Sequence, residues 1–243
     1  MEKKELGEDI EQQYFESVPT PSAEMDEGTR DMVLYPFVIS GGKNTEHFYF
    51  KHISEKTDYK FIIKPEFFGD ESNYTEVFPK RITEILNKNN DAQIFCVFDW
   101  DTTYGRKKQL EKHEAFVNQF KTEIDTGIVT VCPSMPSIEY WFLLHFENRT
   151  QLIKTCGRTM QNLLTPYMSP LFPDTNGKKL LSVLKGEEYV KDSGWVVKLC
   201  ENGKLADAIQ RAENNIKAAE ATGDLEKQSY SFVYLLFKNR EGE

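Results

Sequence analysis

Two aspartates directly follow an apolar, strand-like run in the segment FCVFDWDTTYG, which extends from Phe95 to Gly105. Residues two apart on an extended chain point to the same side, so Asp99 and Asp101 would hold two carboxylates close together. Such charges repel each other unless a cation, an arginine or water separates them. The segment therefore has two interpretations: a solvated turn, since aspartate is common where strands end, or a metal site.

A basic strip comes directly after the aspartates and has the chemistry to contact phosphate groups. The strip, GRKKQLEK, contains Arg106, Lys107 and Lys108, and its alternative interpretation is a solvated first turn of a helix. Lys43, in the segment SGGKNTE, is a weaker candidate because a lone G-G-K lacks the full phosphate-loop pattern. These four cations are the predicted phosphate contacts.

The composition excludes several classes of protein. With 30 Lys and Arg against 39 Asp and Glu, the net charge of −9 is unfavourable for a protein that coats a nucleic acid. This net charge is compatible with an enzyme that binds a few phosphates through metal ions. No apolar run approaches the ~20 residues of a membrane span, and the N-terminus lacks the apolar segment of a signal peptide. The four cysteines lie far apart without C-x-x-C spacing, which favours reduced thiols in the cytoplasm over a zinc site.

Strand-like and helix-like segments alternate through the first part of the chain. The strand-like runs cover residues 32–40, 59–63, 92–98 and 127–132, and each is followed by a helical pattern, at 45–56, 74–90, 107–124 and 137–146. Four strand–helix units in succession predict an α/β fold with a mostly parallel sheet and helices on both faces.

Two further regions flank this α/β part. Residues 1–31 are polar and acidic, with prolines, which predicts a flexible leader. After residue 146 the pattern changes to helices alone, predicted at 151–164, 178–188, 205–221 and 229–238, with an irregular link at 165–177. The predicted organisation is a leader (1–31), an α/β domain (32–149) and a helical C-terminal extension (150–243).

Acidic residues follow three of the four predicted strands. Ligands of open parallel sheets gather at the carboxyl ends of the strands, where Glu46, the Asp99/Asp101 pair and Glu139 would meet. Carboxylates that converge from separate strands form the oxygen-ligand sites that Mg²⁺ or Mn²⁺ prefer. For Glu46 and Glu139 the alternative is a first-turn acid that complements the helix dipole. For the aspartate pair, the pattern favours the metal site.

Three ordered segments resemble one protein family. GKNTEHFYF resembles the G-x-x-T-E-x-x-Y-F segment of the RloB family, which is related to the second component of the AbiL abortive-infection systems of phage defence. VFDWD matches its strand and D-x-D segment, and PSMPSIEYWFLLHFE is similar to its distinctive S-N-P-x-F-E-x-W-x-L-L-H-F stretch. The resemblance covers residues 38–147, and residues after about 150 match only loosely.

The resemblance implies a Toprim-like catalytic fold, as in primases, topoisomerases and OLD-type nucleases. Those enzymes use a glutamate after the first strand and a D-x-D after the third to hold Mg²⁺ for phosphoryl transfer. By that resemblance Asp99 and Asp101 would be metal ligands, Glu46 would support them, and Glu139 would complete the metal shell or brace its loop. Family members usually occur in defence loci, often beside an ATPase partner.

The sequence departs from the family at the end of the first strand. The family has E-G there, whereas this chain has Gly41 and Gly42, so the expected general acid/base is missing. Either Glu46 takes its place, or the site binds metal without fast chemistry. The asparagine of S-N-P is also replaced, by Met135, a milder change because Pro136 can keep the turn.

These patterns lead to three functional hypotheses. The first is a cytoplasmic, Mg²⁺-dependent, Toprim-like nuclease of anti-phage defence, with RNA, including tRNA, favoured over duplex DNA because the acidic chain has little surface for a long duplex. The second is a catalytically reduced sensing or assembly subunit that works with an ATPase, which Gly41 favours. In the third, the acids are ordinary caps and turns of a structural protein. A homodimer is compatible with each hypothesis.

Overall fold

One five-stranded sheet organises the part of the chain that the computed structural model describes, residues 35–64 and 74–238. The predicted leader at 1–31 lies outside these residues. The strands are β1 (Phe37–Ser40), β2 (Ile62–Lys64), β3 (Ile94–Asp99), β4 (Val129–Met135) and β5 (Tyr230–Ser231), and their order across the sheet is β2-β1-β3-β4-β5.

The sheet is mostly parallel, as predicted. β1 pairs in parallel with β2 and β3, β3 pairs in parallel with β4, and β5 joins β4 in the antiparallel direction. The central strands β1 and β3 are apolar except for their last residues, because helices cover both faces of a parallel sheet and leave no solvated side. In β3, every residue from Ile94 to Phe98 is buried.

Helices connect the strands and fill the C-terminal part. In the described residues the helices are α1 (Thr45–Lys56), α2 (Tyr74–Lys88), α3 (Lys107–Gln119), α4 (Lys121–Asp125), α5 (Ile138–Leu144), α6 (Arg158–Met168), α7 (Leu180–Leu184), α8 (Glu187–Val190), α9 (Gly194–Cys200) and α10 (Lys204–Thr222). The prediction for α1 is confirmed at both ends, and the prediction for α10 is confirmed to within one residue at each end. No helix among these is long and apolar enough to cross a membrane.

The predicted C-terminal helix at 229–238 is confirmed only in part. The segment begins with β5 and continues as a 3₁₀ helix, Phe232–Phe237, here called the C-terminal 3₁₀ turn. The hydroxyl of Ser231 lies 2.8 Å from the hydroxyl of Ser134 on β4, and the Ser231 Oγ also accepts a hydrogen bond from the Val233 N–H. An apolar run of this length does not distinguish a strand from a helix. Here the pairing with β4 makes the start of the run a strand.

Other C-terminal boundaries also differ from the prediction. The helix predicted from residue 151 begins at Arg158, and Gln151 instead forms an isolated bridge with Gln228. α6 continues through Pro166 into the link predicted to be irregular, the segment at 178–188 divides into α7 and α8 at Gly186, and α9 was not predicted.

Pro79 lies inside α2. A proline here removes one backbone hydrogen bond of the helix. The apolar stripe of Val77, Phe78 and Ile82 is buried against the sheet, and this packing holds the helix despite the missing bond.

Alternate residues of the strands contribute to two hydrophobic layers. Ile39, Cys96 and Phe98 face the layer formed with α2 and α3. Val38 and Val97 face a larger layer that contains α1, α5 and residues from the C-terminal helices. The C-terminal part of the chain therefore shares a core with one face of the sheet.

Trp141 anchors this larger layer. Its indole Nε1–H donates a hydrogen bond of 2.7 Å to the Tyr49 hydroxyl, which links α5 to α1. Its ring stacks on Phe237, with centroids 5.6 Å apart and an angle of 11° between the planes, which links α5 to the C-terminal 3₁₀ turn. Trp141 is fully buried, so its removal leaves a cavity where three elements meet.

We predict that Trp141→Ala lowers the free energy of unfolding by ~3–5 kcal/mol, the usual cost of truncating a buried tryptophan. Urea unfolding followed by circular dichroism measures the change. The matched control is Val197→Ala, at an exposed apolar residue of α9, which should change stability by less than about 0.5 kcal/mol. Wild-type stability of Trp141→Ala would show that α5 is peripheral to the core.

Candidate functional site

Three acidic side chains line one cavity at the carboxyl ends of the strands. Glu46 lies in the first turn of α1, Asp99 ends β3, and Glu139 lies in the first turn of α5. The cavity has a volume of about 510 Å³. β3 pairs with both β1 and β4, so the segments after these three strands meet at the same edge of the sheet. The sheet thus brings together three of the four predicted acids.

The fourth acid, Asp101, does not line this cavity. A 3₁₀ turn, Trp100–Thr102, begins directly after Asp99, so the assumption of an extended chain through the pair is wrong. Asp99 Oδ1 accepts a hydrogen bond of 2.9 Å from the Ile138 N–H, and Asp101 Oδ2 accepts one of 2.8 Å from the Cys156 N–H. The two carboxylates are held by different parts of the chain.

Burial makes Glu46 and Asp99 hard to ionise. Burial raises the pKa of Asp99 well above its ordinary value, and the charges of Glu46, Glu139 and Asp101 raise it further, against the lowering effect of the Ile138 N–H. Burial also raises the pKa of Glu46 to about 7; Glu139 adds to this rise, whereas a backbone hydrogen bond and the Lys185 ammonium oppose it. At neutral pH these two carboxyls therefore retain protons, which a bound cation could displace.

The glycine pair after β1 makes room for Glu46. A Cβ atom added at Gly42 would lie 1.7 Å from Oε2 of Glu46, so only glycine fits there while Glu46 keeps this position. Gly41 differs, because its added Cβ would come no closer than 3.5 Å to Phe98, an ordinary van der Waals distance. A Cβ atom at position 41 is therefore compatible with the backbone and with its nearest neighbours.

Three cations line the same cavity as the acids. Lys43 and Arg106 were predicted as phosphate contacts, and Lys185 was not. The other two predicted contacts, Lys107 and Lys108, lie exposed at the start of α3 and do not line the cavity. The ammonium of Lys107 lies 3.9 Å from the Glu111 carboxylate, as expected for a solvated helix face.

Lys185 reaches the site through contacts between distant parts of the chain. The Asn44 side chain donates a hydrogen bond of 2.7 Å to the Lys185 carbonyl, and the Thr45 hydroxyl donates one of 2.8 Å to the Leu184 carbonyl. The side chains of Asn44, at the N-cap of α1, and Thr45 thus hold the turn between α7 and α8 beside the first turn of α1. No local pattern in the sequence marks Lys185, because its placement depends on this tertiary contact.

Glu139 is held by its own loop. The Ser137 hydroxyl donates a hydrogen bond of 2.6 Å to Glu139 Oε2, so one carboxylate oxygen already has a partner. Burial raises the pKa of the Cys156 thiol, and the Glu139 charge adds to this rise. Glu139 is thus hydrogen-bonded to the loop before α5 through one oxygen.

His145 belongs to the core. Its Nδ1 lies 3.0 Å from the Trp141 carbonyl, and burial lowers its pKa to about 3, so it is neutral at physiological pH.

Across residues 35–64 and 74–238, no three histidine, cysteine, aspartate or glutamate side chains lie where they could together bind one metal ion. The divergence of Asp99 and Asp101 fits this finding.

The family model of RloB-like proteins matches residues 37–239, so the chain belongs to the RloB-like family. This match confirms the resemblance and extends well beyond residue 150, through the part of the chain that contributes Cys156 and Lys185. No curated protein and no solved structure matches the chain.

The raised pKa of Glu46 predicts a specific pH dependence of stability. An acid whose pKa rises from 4.5 unfolded to about 7 folded stabilises the protein fully below pH 4.5 and loses that contribution as the pH rises towards 7. Relative to the wild type, Glu46→Gln should therefore gain up to ~3 kcal/mol of unfolding free energy between pH 4.5 and pH 8 in metal-free buffer. Urea titrations across this pH range measure the gain.

The matched control for this prediction is Glu114→Gln, which removes an exposed carboxylate of α3. Its stability should follow the wild type at every pH. Parallel pH profiles for the wild type and Glu46→Gln would show that the Glu46 carboxyl ionises as freely in the folded protein as in the unfolded chain.

Proposed function

We propose that this RloB-like protein is a nuclease dependent on a divalent metal, with a Toprim-like catalytic site at the carboxyl ends of β1, β3 and β4. One observation carries the proposal: Glu46, Asp99 and Glu139 line a single cavity, and the pKa values of the first two are raised. Buried acids at a cleft, with pKa values shifted by one another, are typical of functional sites. A structural protein gains nothing from this arrangement.

The donor atoms of the site suit Mg²⁺ or Mn²⁺. Both ions prefer oxygen ligands, and Mg²⁺ usually keeps several waters and takes only one or two carboxylates from the protein. Asp99 and Glu46 would be these two ligands; Asp99 would use Oδ2, because its Oδ1 accepts the Ile138 N–H. Such a two-carboxylate site is compatible with the absence of three converging ligands in the described residues. A bound ion of this kind neutralises the scissile phosphate and lowers the pKa of its bound water.

Glu46 is the candidate for a general acid/base if the ion takes Asp99 and waters alone, because a carboxylate that binds the ion cannot also carry the proton. Its pKa of about 7 lies near the working pH, where a group can both hold and release a proton. It would replace the glutamate that the family carries where this chain has Gly41. Lys43, Arg106 and Lys185 would bind the substrate phosphates, since all three cations line the cavity.

The biological setting is part of the proposal and rests on the family resemblance. We infer a role in anti-phage defence in the cytoplasm, where the four free cysteines would remain reduced. RNA, including tRNA, is favoured over duplex DNA because only a few cations surround the cavity of this acidic chain. An ATPase encoded beside the protein is the partner that the family resemblance implies, and a second copy of the chain is a further candidate partner.

A second candidate function is a catalytically reduced subunit that senses or assembles with an ATPase. Gly41 favours it, since a side chain fits at this position and the chain nevertheless lacks the family glutamate. The hydrogen bond from the Cys156 N–H to Asp101 favours it too, because it engages one oxygen of an expected metal ligand.

Metal binding can be tested through stability. Mg²⁺ or Mn²⁺ should raise the melting temperature of the wild type, because an ion that binds only the folded state stabilises it by mass action. Asp99→Asn should abolish this rise, and in metal-free buffer the variant should be at least as stable as the wild type, since a neutral amide keeps an acceptor for the Ile138 N–H. Asp91→Asn, at an exposed aspartate, is the control and should keep the full response. An unchanged metal response in Asp99→Asn would exclude Asp99 as a ligand.

Catalysis can be tested with four chains, the wild type, Glu46→Gln, Gly41→Glu and the double variant, on a panel of labelled RNAs and DNAs. The wild type should cut at least one substrate with Mg²⁺ or Mn²⁺, and Glu46→Gln should lose ~10²–10⁴-fold in rate, the usual contribution of a general acid/base. Gly41→Glu in the Glu46→Gln background should restore part of the activity, because a Cβ atom at position 41 meets no clash. Equal cleavage by Glu46→Gln and wild type would remove Glu46 from the chemistry. If neither the wild type nor Gly41→Glu cuts anything with metal and the ATPase present, the assembly-subunit function replaces the nuclease.

A further inference from the structure

A second cavity lies against the same chain segment as the acidic cavity. Its volume is about 210 Å³, and the residues that define its chemistry are Trp100, Tyr104, Leu110, Met135, Glu226 and Tyr230. Within residues 99–106, some side chains line the acidic cavity and others line this one: Asp99, Thr102 and Arg106 line the first, and Trp100, Thr103 and Tyr104 line the second. The two cavities are therefore formed by alternating residues of one chain segment.

The walls of the second cavity are aromatic. Trp100 is held in place by its edge-to-face contact with His113, at 4.8 Å between ring centroids, and Tyr230 is buried. Tyr104 is partly exposed, and Leu110 shows 42% of its surface to solvent. Aromatic side chains of this kind form stacking platforms for unpaired nucleobases. The volume lies below the ~300–1,000 Å³ of sites for drug-sized ligands, which suits a single base.

A carboxylate supplies the polar group of the cavity. Glu226 is exposed, and its negative charge contributes to the raised pKa of the Tyr230 phenol after the larger effect of burial. The neighbouring Lys227 pairs with Asp224, at 2.5 Å, so it does not neutralise Glu226. An ionised carboxylate only accepts hydrogen bonds, and guanine offers two adjacent N–H donors on its Watson–Crick edge. Adenine and cytosine offer one amino group there, and uracil offers one ring N–H.

We propose that the second cavity binds one unpaired guanine of the substrate, stacked on Tyr104 and Trp100 and hydrogen-bonded to Glu226, beside the phosphate that the acidic cavity holds. The inference rests on the proposed function, which supplies the nucleic acid. It defines the substrate as a single strand, or a loop of folded RNA, with guanine next to the cleaved bond. A base inside a duplex is stacked and paired, so it could not enter the cavity without being flipped out.

The inference can be tested by binding alone, with no need for cleavage. The probes are two fluorescein-labelled RNA hexamers, one of uridines only and one with a single guanosine among uridines, titrated with full-length protein in EDTA and monitored by fluorescence anisotropy. The wild type should bind the guanosine hexamer roughly 5- to 150-fold more tightly, the discrimination expected from one bidentate contact to a base edge. Tyr104→Ala should weaken the binding of both hexamers, because stacking on an aromatic ring tolerates any base. Glu226→Gln should abolish most of the preference for guanosine.

Matched controls come from elsewhere on the surface. Tyr35→Ala removes an exposed tyrosine outside both cavities, and Glu220→Gln removes an exposed carboxylate of α10; both should keep the guanosine preference. Because Glu226 is exposed, we expect Glu226→Gln to fold like the wild type. This variant therefore still tests the inference if Tyr104→Ala is unstable. Equal affinity of the wild type for the two hexamers, or an unchanged preference in Glu226→Gln, would overturn the inference.

The outcomes separate this inference from the proposed function. Hexamers that are cut with metal but bound without base preference would refute the guanine site and leave the nuclease intact. A guanosine preference that persists in a protein that cuts nothing would support the guanine site and refute the nuclease. If neither hexamer binds in EDTA or with Mg²⁺, both proposals are wrong.

Discussion

The structure depends on one electrostatic constraint, the burial of several carboxyl groups at one edge of a parallel sheet. Pairing of β3 with β1 and β4 brings the chain segments after three strands together, and each segment carries an acid. Burial disfavours the charged forms of Glu46 and Asp99, so in the absence of a cation the packing must hold groups that repel each other when ionised. The two hydrophobic layers on either face of the sheet supply that packing.

The C-terminal part of the chain takes part in the site as well as in the core. It contributes the Lys185 ammonium to the cavity, and the Cys156 N–H binds Asp101. Arg211 of α10 donates a hydrogen bond of 2.7 Å to the Leu144 carbonyl and so fixes the end of α5. The family match across residues 37–239 includes all these positions. A shortened chain that kept only the three recognisable segments would lose these contacts.

The features of the fold and of the site that depend on local sequence pattern could be predicted from the sequence. Apolar runs located the strands, helical spacing located α1 and α10, and the known behaviour of parallel sheets predicted that Glu46, Asp99 and Glu139 would meet. These features follow from hydrophobic periodicity and from strand polarity, which neighbouring residues determine.

The features of the fold and of the site that could not be predicted depend on contacts between residues distant in the sequence. The turn after Asp99 is fixed by the Asp101 N–H, which donates to the Pro136 carbonyl, and no spacing rule reveals that bond. Lys185 enters the cavity only because α1 binds the turn after α7. The segment 229–238 forms a strand and a 3₁₀ turn because its first residues pair with the edge of β4. The apolar residues of the segment do not by themselves predict this pairing.

The central claim is that the buried acids hold protons which a divalent cation displaces. The most direct test is isothermal titration of the metal-free protein with Mg²⁺ at pH 6, in buffers of different ionisation enthalpy, which counts the protons released on binding. Because Glu46 has a pKa of about 7, it is mostly protonated at this pH, so the wild type should release protons and Glu46→Gln should release fewer. Binding of Mg²⁺ without proton release, or equal release by the two proteins, would contradict the claim.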